Sequence, residues 1–365
     1  GSEMCIRDSY SRAATIPEED SQRLLNRFAP EGFLDHFEHL DMKPFAAASI
    51  GQIHRGVLKD GTKVVVKVIK SDFEDSFKQD VQRMKRWIRM GLFFRPKLRK
   101  VGNPLGLLAH IEDYTVRELN LLNEIDGRRQ LIARANNIEE HFPMPKLKFP
   151  TMWEDLSNER VLVMEEITHP TLEDHLEAGT LTWPDMLELF RIHGAFMFGL
   201  GTFHGDLHPG NAMMDDQGNF FFIDTGAICN APEHVRNALF GFFYFLAKGE
   251  LKNAFDAMLT MAAVRPTGST LQTYYDSMNE LYDGFVGTSV SEVSLTEQMM
   301  KTVKAAVLAG CAFGEEAFPI IRSLMYMDGM VLKGHPNVDL ISSMGPYLDE
   351  FSVLIDPNNI LPTSE

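Results

Sequence analysis

The sequence has few cysteines, little positive charge and no long apolar stretch. Cys5, Cys229 and Cys311 are widely spaced and odd in number, which excludes a disulfide framework or cysteine metal site and suits a reducing compartment. Lys and Arg total 35 against 51 Asp and Glu, and this net charge of −16 argues against a general nucleic-acid binder. No uninterrupted apolar run approaches about 18 residues. We therefore expect no transmembrane helix, and a place in the cytoplasm or an organelle matrix, at most peripheral to a membrane.

The length of 365 residues and the 44% apolar content predict a globular chain of about two domains. Residues 1–14 have neither a signal-peptide core nor helical periodicity, so we expect a loose terminus there. Residues 1–42 are predicted to form an N-terminal extension with short helices over 17–28 and 32–40. A β-rich domain over 43–166 and a helical domain over 167–365 follow.

The most informative stretch is H-G-D-L-H-P-G-N at residues 204–211, followed by F-F-F-I-D-T-G at 220–226. Asp206 precedes Asn211 by five residues, and Asp224 ends the apolar run. This spacing is typical of phosphoryl transfer, in which one carboxylate orients a hydroxyl proton while an Asn and an Asp hold a divalent metal. Such a site also needs a lysine on a strand and a glutamate on a helix upstream.

Residues 44–69 meet the first of these needs. Two β-rich runs flank Asp60-Gly61, which predicts a hairpin, and Lys67 lies among valines in the second run. A lysine there is costly unless it is paired or lies on an edge strand. A run of small residues precedes the hairpin and would let the backbone approach phosphates. It consists of Ala46, Ala47, Ala48 and Ser49.

The partner of Lys67 is expected on a helix predicted over 107–133, which offers Glu118, Glu124 and Asp126. The residues themselves do not choose among the three acids. A strand over 159–167 then predicts the crossing between the two lobes. There the backbone near Glu165 and Ile167 would read an adenine edge.

Helical patterns dominate the rest of the chain. A helix is predicted over 182–203 with Thr182 as its N-cap and His193 as a core histidine, and His208 is expected to bond the loop backbone. A new helix near Pro232 leaves no room for a long activation segment after Gly226, which disfavours peptide substrates. Further helices are predicted over 251–264, 271–285, 295–308 and 318–331, without chemistry of their own.

Residues 78–100 hold nine basic residues and one acid in an otherwise acidic chain. Val81, Met84, Trp87 and Leu92 recur at helical spacing. The pattern predicts a basic amphipathic helix that either binds an anionic membrane surface or packs on its own lobe with a solvated face.

These motifs together resemble the UbiB/ADCK (aarF-domain) family of atypical kinases over about residues 15–335. The resemblance rests on P-F-A-A-A-S-I-G-Q-I-H at 44–54, V-V-V-K-V at 64–68, E-L-N-L-L-N-E at 118–124, V-L-V-M-E at 161–165, and the H-G-D-L-H-P-G-N and I-D-T-G segments. It implies a two-lobed, protein-kinase-like α+β fold that binds ATP or ADP with Mg²⁺.

By position, the resemblance implies that Lys67 pairs with Glu124 and that Glu118 opens the family's E-x-D motif. It further implies that Asp206 is the catalytic-loop acid, with Asn211 and Asp224 as Mg²⁺ ligands. The nucleotide-binding residues would be Ala46, Ala47, Ala48, Ser49, Lys67, Glu118, Glu165 and Ile167. The implied role is a kinase or ATPase near membranes in ubiquinone or other isoprenoid-quinone pathways, with proteins or lipids of those pathways as partners.

Three departures from the family pattern stand out. Residues 1–42 contain no lysine, so the family's K-x-G-Q motif does not occur there. Asn120 replaces the E-x-D aspartate and removes a charge near the phosphates. Thr225 replaces the phenylalanine after the metal aspartate, so its usual hydrophobic packing is expected to be lost.

The leading hypothesis is a Mg²⁺-dependent ATPase or phosphotransferase of this family. One alternative is a small-molecule kinase of the aminoglycoside or choline type, because that class shares H-G-D-L-H-P-G-N. The other is a nucleotide-sensing pseudokinase, which Asn120 and Thr225 motivate.

Overall fold

The computed structural model describes residues 17–47, 51–69, 73–94, 108, 112, 119–355 and 360. They divide into two compact units. The first contains the described residues of 1–129, 149–169 and 221–227, and the second those of 130–148, 170–220 and 228–365. The described part of the predicted extension therefore belongs to the first unit. So does the segment with Asp224, although it follows residue 166; the predicted domain boundaries stay predictions.

An antiparallel sheet forms the centre of the first unit. Its strands run in the order Phe37–Leu40, Gly51–Leu58, Lys63–Ile69 and Val161–Glu165, and Ala46–Ala47 pairs with the second of them. The predicted hairpin is confirmed, because Gly61 has a φ of 86° and the Thr62 amide donates to Asp60 Oδ1 over 2.9 Å. Lys67 lies opposite Ile53 on one side and Leu162 on the other. It is therefore in an inner strand, and the edge-strand interpretation is wrong.

The N-terminal part of the first unit is only partly as predicted. A helix spans Glu18–Phe28 after Pro17, but residues 33–36 form a single 3₁₀ turn and Phe37–Leu40 is a strand, so the second short helix is wrong. Phe37 and Leu40 are buried with Leu25 and Val64 in one apolar cluster. Pairing with the strand Gly51–Leu58 achieves this burial and overrides the local preference.

Two further helices carry residues of interest. One spans Phe73–Phe94, and we call it the basic helix. The other spans Leu122–Ile138 and is named the glutamate helix. It ends beyond the predicted limit of 133, and residues 119–121 are not helical, so one continuous helix over 107–133 is wrong. Leu108 and Glu112 are helical, and the other residues of 107–118 lie outside the described part of the chain. The glutamate helix begins at Leu122 because the side chain of Asn120 accepts a hydrogen bond from the Leu122 amide over 3.0 Å.

The second unit is mainly helical. Its helices after the glutamate helix are Leu172–Ala178, Trp183–Gly194, Glu233–Ala247, Leu251–Thr260, Ser269–Tyr282, Leu295–Leu308, Phe318–Gly334 and Leu340–Glu350. Short strands span Leu147–Lys148, Thr202–His204, Ala212–Met214, Ile228–Asn230, Ala262–Val264 and Ala312–Phe313. The strand Phe220–Phe222 begins with the last residue of one segment of this unit, and its other two residues are counted with the first unit. No helix among the described residues is long and apolar enough to cross a membrane.

Two predicted helices of this unit are shorter than expected. Thr182 caps the first of them as predicted, but the α-helix ends at Gly194 and a π-helix over Ala195–Leu200 follows, so the helical segment ends three residues before the predicted limit. Thr202–His204 is then a strand paired with Ile228–Asn230. The helix predicted over 251–264 ends at Thr260, because Ala262–Val264 pairs with Ala312–Phe313. In both places a strand partner distant in sequence ends the helix.

Candidate active site

An ion-paired lysine lies at the centre of the first unit. Lys67 Nζ is 2.7 Å from Glu124 Oε1 and 3.1 Å from Asp224 Oδ2. The side chains of Lys67 and Glu124 are only 12% and 7% exposed, whereas that of Asp224 is 40% exposed. The sequence offered three acids on one predicted helix as partners of Lys67, and in the structure the partner from among them is Glu124. Asp224 is a second carboxylate on the same cation.

The charges around Lys67 keep it protonated. Burial alone would lower the pKa of the ammonium group, but the negative charges of Asp224 and Glu124 outweigh this effect and hold the pKa above its ordinary value. A lysine in this setting is a permanent cation. It is suited to binding an anionic oxygen rather than to accepting a proton.

Thr225 attaches the segment with Asp224 to the glutamate helix. Its side chain is fully buried, and its hydroxyl donates to the main-chain oxygen of Glu124 over 2.6 Å. A Cβ added at Gly226 would lie 3.2 Å from Cγ of Glu124, so glycine allows the close approach there. Where the family pattern has an apolar side chain, this chain therefore has a hydrogen bond to the residue that pairs with Lys67.

The small-residue run is described only in part. Ala46 and Ala47 form a two-residue strand that pairs with Ile53 and Gln52, and Ala46 is buried. Ala48 and Ser49, together with Glu118, lie outside the described residues. Just beyond the run, a Cβ at Gly51 would meet the carbonyl oxygen of Val68 at 2.7 Å. Only glycine allows the two strands to come this close.

The predicted crossing strand ends at Glu165. Its carboxylate accepts a hydrogen bond from the Thr151 amide over 3.0 Å, and its own amide donates to the Thr151 oxygen. Ile167 follows two residues later and is half-buried. The Glu165 amide is thus engaged by Thr151, and the expected contacts of Glu165 and Ile167 with an adenine edge stay predictions.

The H-G-D-L-H-P-G-N loop belongs to the second unit and is extensively hydrogen-bonded. The side-chain amide of Asn211 donates to the main-chain oxygen of Asp206 over 3.0 Å and to its Oδ2 over 3.3 Å. The Gly210 amide donates to His208 Nδ1 over 3.1 Å, which confirms the predicted backbone bond of His208. The loop thus holds Asp206 and Asn211 as one unit.

A tyrosine that sequence reasoning missed also contacts this loop. The hydroxyl of Tyr326 donates to Asp206 Oδ1 over 2.7 Å, and Arg322 donates to the Gly205 oxygen over 2.6 Å. Both residues lie on the helix Phe318–Gly334, which we call the anchor helix. Its spacing predicted a helix, but no motif in it points to a loop 120 residues earlier.

His193 is a core histidine, as predicted. It is fully buried and its Nε2 lies 2.5 Å from the hydroxyl of Ser323, also on the anchor helix. Burial, with a smaller effect of the nearby His204, lowers the pKa of His193 to about 3. The ring is therefore neutral at physiological pH and acts as packing and a hydrogen-bond partner.

The residues fit a magnesium ion better than a transition metal. Among the described residues, no group of three or more His, Cys, Asp or Glu side chains is arranged to hold a metal. Mg²⁺ typically uses one or two carboxylates together with waters and phosphate oxygens. In the first unit, the half-exposed carboxylate of Asp224 is a donor of this type. In the second unit, Asn211 directs its amide nitrogen to Asp206, so that its amide oxygen is also of this type.

Comparison with known proteins agrees with these features. Residues 9–258 match the ABC1 atypical kinase-like domain. An uncharacterized Synechocystis protein, sll0095, is 24% identical over 358 residues, which are 93% of this chain and 60% of the relative. The probable protein kinase UbiB of Cronobacter sakazakii is 24% identical over 327 residues, covering 86% of this chain and 58% of the relative. The chain thus spans about three fifths of these relatives.

One solved structure shares the fold. The structure of Rv3197 from Mycobacterium tuberculosis, solved as a complex with erythromycin, aligns with a TM-score of 0.63 over 98% of this chain and 87% of that chain, at 18% identity. The predicted kinase-like α+β fold is confirmed. Because the family match covers more than half of the sequence, the chain belongs to the ABC1 atypical kinase-like family.

Proposed function

We propose that this protein is a Mg²⁺-dependent, ATP-binding ATPase or phosphotransferase of the UbiB type that supports ubiquinone, isoprenoid-quinone or lipid metabolism. The observation that carries the proposal is the buried ion pair of Lys67 with Glu124, joined by Asp224. A protein rarely buries a charged lysine between two carboxylates for stability alone, because apolar packing does as well. The pathway assignment rests on the name UbiB carried by several relatives.

In this proposal each residue has one task. Lys67 binds a phosphate oxygen of ATP and Glu124 keeps its ammonium group in place. Asp206 receives the proton of the attacking hydroxyl or water. Asp224 and Asn211 donate oxygens to Mg²⁺, which neutralises phosphate charge when it is bound. The small-residue run covers the phosphates, and Glu118, Glu165 and Ile167 contact the nucleotide.

Thermal denaturation with Mg–ATP or Mg–ADP tests the binding half of the proposal. Nucleotide at a hundred times its Kd should stabilise the wild-type protein by about 2.7 kcal/mol, a shift of several degrees. Asp224→Asn should abolish the magnesium-dependent part of this shift. Asp256→Asn, which changes an aspartate on the helix Leu251–Thr260, is the control and should keep it. Equal stabilisation of all three proteins would refute the metal assignment.

Turnover tests the catalytic half. We expect ATP hydrolysis or transfer that Asp206→Ala abolishes while Mg–nucleotide binding persists. Nucleotide binding without any turnover would favour a pseudokinase that senses nucleotide. Transfer of labelled phosphate to an aminoglycoside or choline-like acceptor would favour a small-molecule kinase.

The basic helix carries a second part of the proposal, an anionic membrane surface as partner. Val81 is buried, but Met84, Trp87 and Met90 are 45%, 70% and 46% exposed, at spacings that place them on one face. Arg83, Arg86 and Arg89 are exposed beside them. Apolar side chains rimmed by arginines match an anionic lipid surface, where Trp enters the interface and Arg binds headgroups. Residues 95–100 of the predicted segment lie outside the described residues.

Flotation with vesicles of phosphatidylcholine and phosphatidylserine tests this surface. We expect binding that rises with phosphatidylserine content and is lost on Arg86→Glu with Arg89→Glu. The matched control is Lys301→Glu with Lys304→Glu, the same charge change on the exposed face of the helix Leu295–Leu308. If both double variants lose vesicle binding equally, the binding depends on net charge and not on the basic helix. If the wild-type protein does not bind the vesicles, the proposed membrane surface is ruled out.

A further inference from the structure

We infer that Tyr326 is a positioning residue for Asp206, and that its hydroxyl fixes the carboxylate in the orientation used for catalysis. The catalytic consequence rests on the proposed function, whereas the contact itself does not. The hydroxyl donates to Oδ1 of Asp206 over 2.7 Å, and Asn211 donates to Oδ2 over 3.3 Å. Each carboxylate oxygen thus has its own donor, and the group cannot rotate without breaking both bonds.

The anchor helix contacts the loop at more than one point. Arg322 and Tyr326 are four residues apart and so lie on one face of the helix. Arg322 bonds the Gly205 oxygen, and the Tyr326 ring also meets the His208 ring edge to face, with centroids 5.8 Å apart. One helix therefore contacts the loop at three residues, Gly205, Asp206 and His208.

The anchor helix is itself fixed on other faces. Ser323 bonds the buried His193. Asp328, only 3% exposed, accepts hydrogen bonds from the amides of Leu295 and Thr296 over 3.1 and 3.0 Å and from the Ser294 hydroxyl over 2.6 Å. These amides open the helix Leu295–Leu308, where a carboxylate is favourable. Tyr326 is thus held by a rigid support, which a residue that orients a catalytic group requires.

A neutral phenol suits this task. It restrains the carboxylate through one oxygen and adds no formal charge to the loop. Small misplacements of a catalytic group cost large factors in rate, so loss of this single donor should reduce turnover.

Tyr326→Phe is the direct test, since it keeps the ring and removes only the hydroxyl. We expect kcat for ATP turnover to fall about tenfold or more, while KM for ATP changes less than twofold. In an Asp206→Asn background the same substitution should have no further effect on residual turnover, because it acts through that carboxylate. The matched control is Tyr275→Phe, since the Tyr275 hydroxyl donates to Asp256 away from the loop. It should leave kcat unchanged.

Urea unfolding without nucleotide gives a second readout that does not depend on activity. Tyr326→Phe and Asp206→Asn should each lower the midpoint, and the double variant should lose less than the sum of the two. Additive losses would overturn the inference, as would an equal effect of Tyr326→Phe on turnover in both backgrounds. Coupling in unfolding without nucleotide binding would uphold the contact and refute the proposed function instead.

Discussion

The two units hold their functional side chains by opposite means. In the first unit, Lys67 forms ion pairs with Glu124 and Asp224. The side chains of Lys67 and Glu124 are largely buried. In the second, Asp206 is oriented by two neutral donors, from Asn211 and Tyr326. Charges in the first unit stabilise the fold only as a complete set, whereas single contacts in the second can be removed one at a time. Substitutions in the ion-paired set of the first unit should therefore mainly lower stability. Substitutions of single contacts to Asp206 in the second unit should mainly lower activity.

Lys67→Met should produce the largest effect, because it removes the ammonium group that lies 2.7 Å from the 7% exposed Glu124 and 3.1 Å from Asp224. We expect the free energy of unfolding to fall by about 3 kcal/mol in urea titrations. Adding Glu124→Gln should restore part of the loss. Lys333→Met, which breaks a pair with Glu177 that is 45% and 65% exposed, should cost under about 1 kcal/mol. Similar losses at the two lysines would remove the distinction between the units.

The two units should also differ in their response to acid. The native pKa of His193 is about 3 against an ordinary value of 6.5, so between these values only the unfolded chain binds the proton. Stability is therefore lost as the pH falls from 6.5 towards 3, by about 2 kcal/mol between pH 7 and pH 5. His193→Gln should remove this part of the pH dependence in urea titrations. A variant as acid-sensitive as the wild type would contradict the assignment.

The raised pKa of Lys67 affects stability at alkaline pH, not at acidic pH. Its contribution to stability is complete below the ordinary value of 10.5 and is lost only as the pH rises further towards the native value. Between pH 7 and pH 5 Lys67 should therefore contribute no slope of its own.

Substitutions of Thr225, in the first unit, should have the smallest effect on stability. Thr225→Val removes the 2.6 Å bond to the Glu124 oxygen and keeps the shape of the side chain. We expect a loss of about 1 kcal/mol, seen as roughly fivefold faster hydrogen exchange in the first turn of the glutamate helix. Thr225→Ser keeps the hydroxyl and should preserve the exchange rates there. If serine and valine accelerate exchange equally, the methyl group and not the hydrogen bond holds the helix.

Local sequence patterns predicted the structural features that depend on residues close together in the chain. Asp60-Gly61 specifies its own hairpin and Thr182 its own helix cap. The valines around Lys67 predicted a strand but left open whether it is an inner strand or an edge strand. The family motifs added the choice of Glu124. Fold and family were thus predictable, and so was the pairing of the lysine.

Contacts between distant segments were not predictable. Phe37–Leu40 became a strand because it pairs with residues that lie 16 to 21 positions later in the sequence. Thr225 was expected to lose packing, yet its hydroxyl found a carbonyl 101 residues away. Tyr326 has no motif at all. In each case the partner comes from the fold, and hydrophobic periodicity carries no information about it.

The separation of 120 residues between Asp206 and Tyr326 has a consequence for biosynthesis. A ribosome adds about 5–20 residues per second, so the loop leaves the ribosome roughly 6–24 seconds before its phenol partner does. During that interval the nascent chain already has its lysine, glutamate and both aspartates but not the donor that orients one of them. The hydrogen bond to Asp206 Oδ1 therefore forms only after the segments with Lys67, Glu124 and Asp224 have all been made.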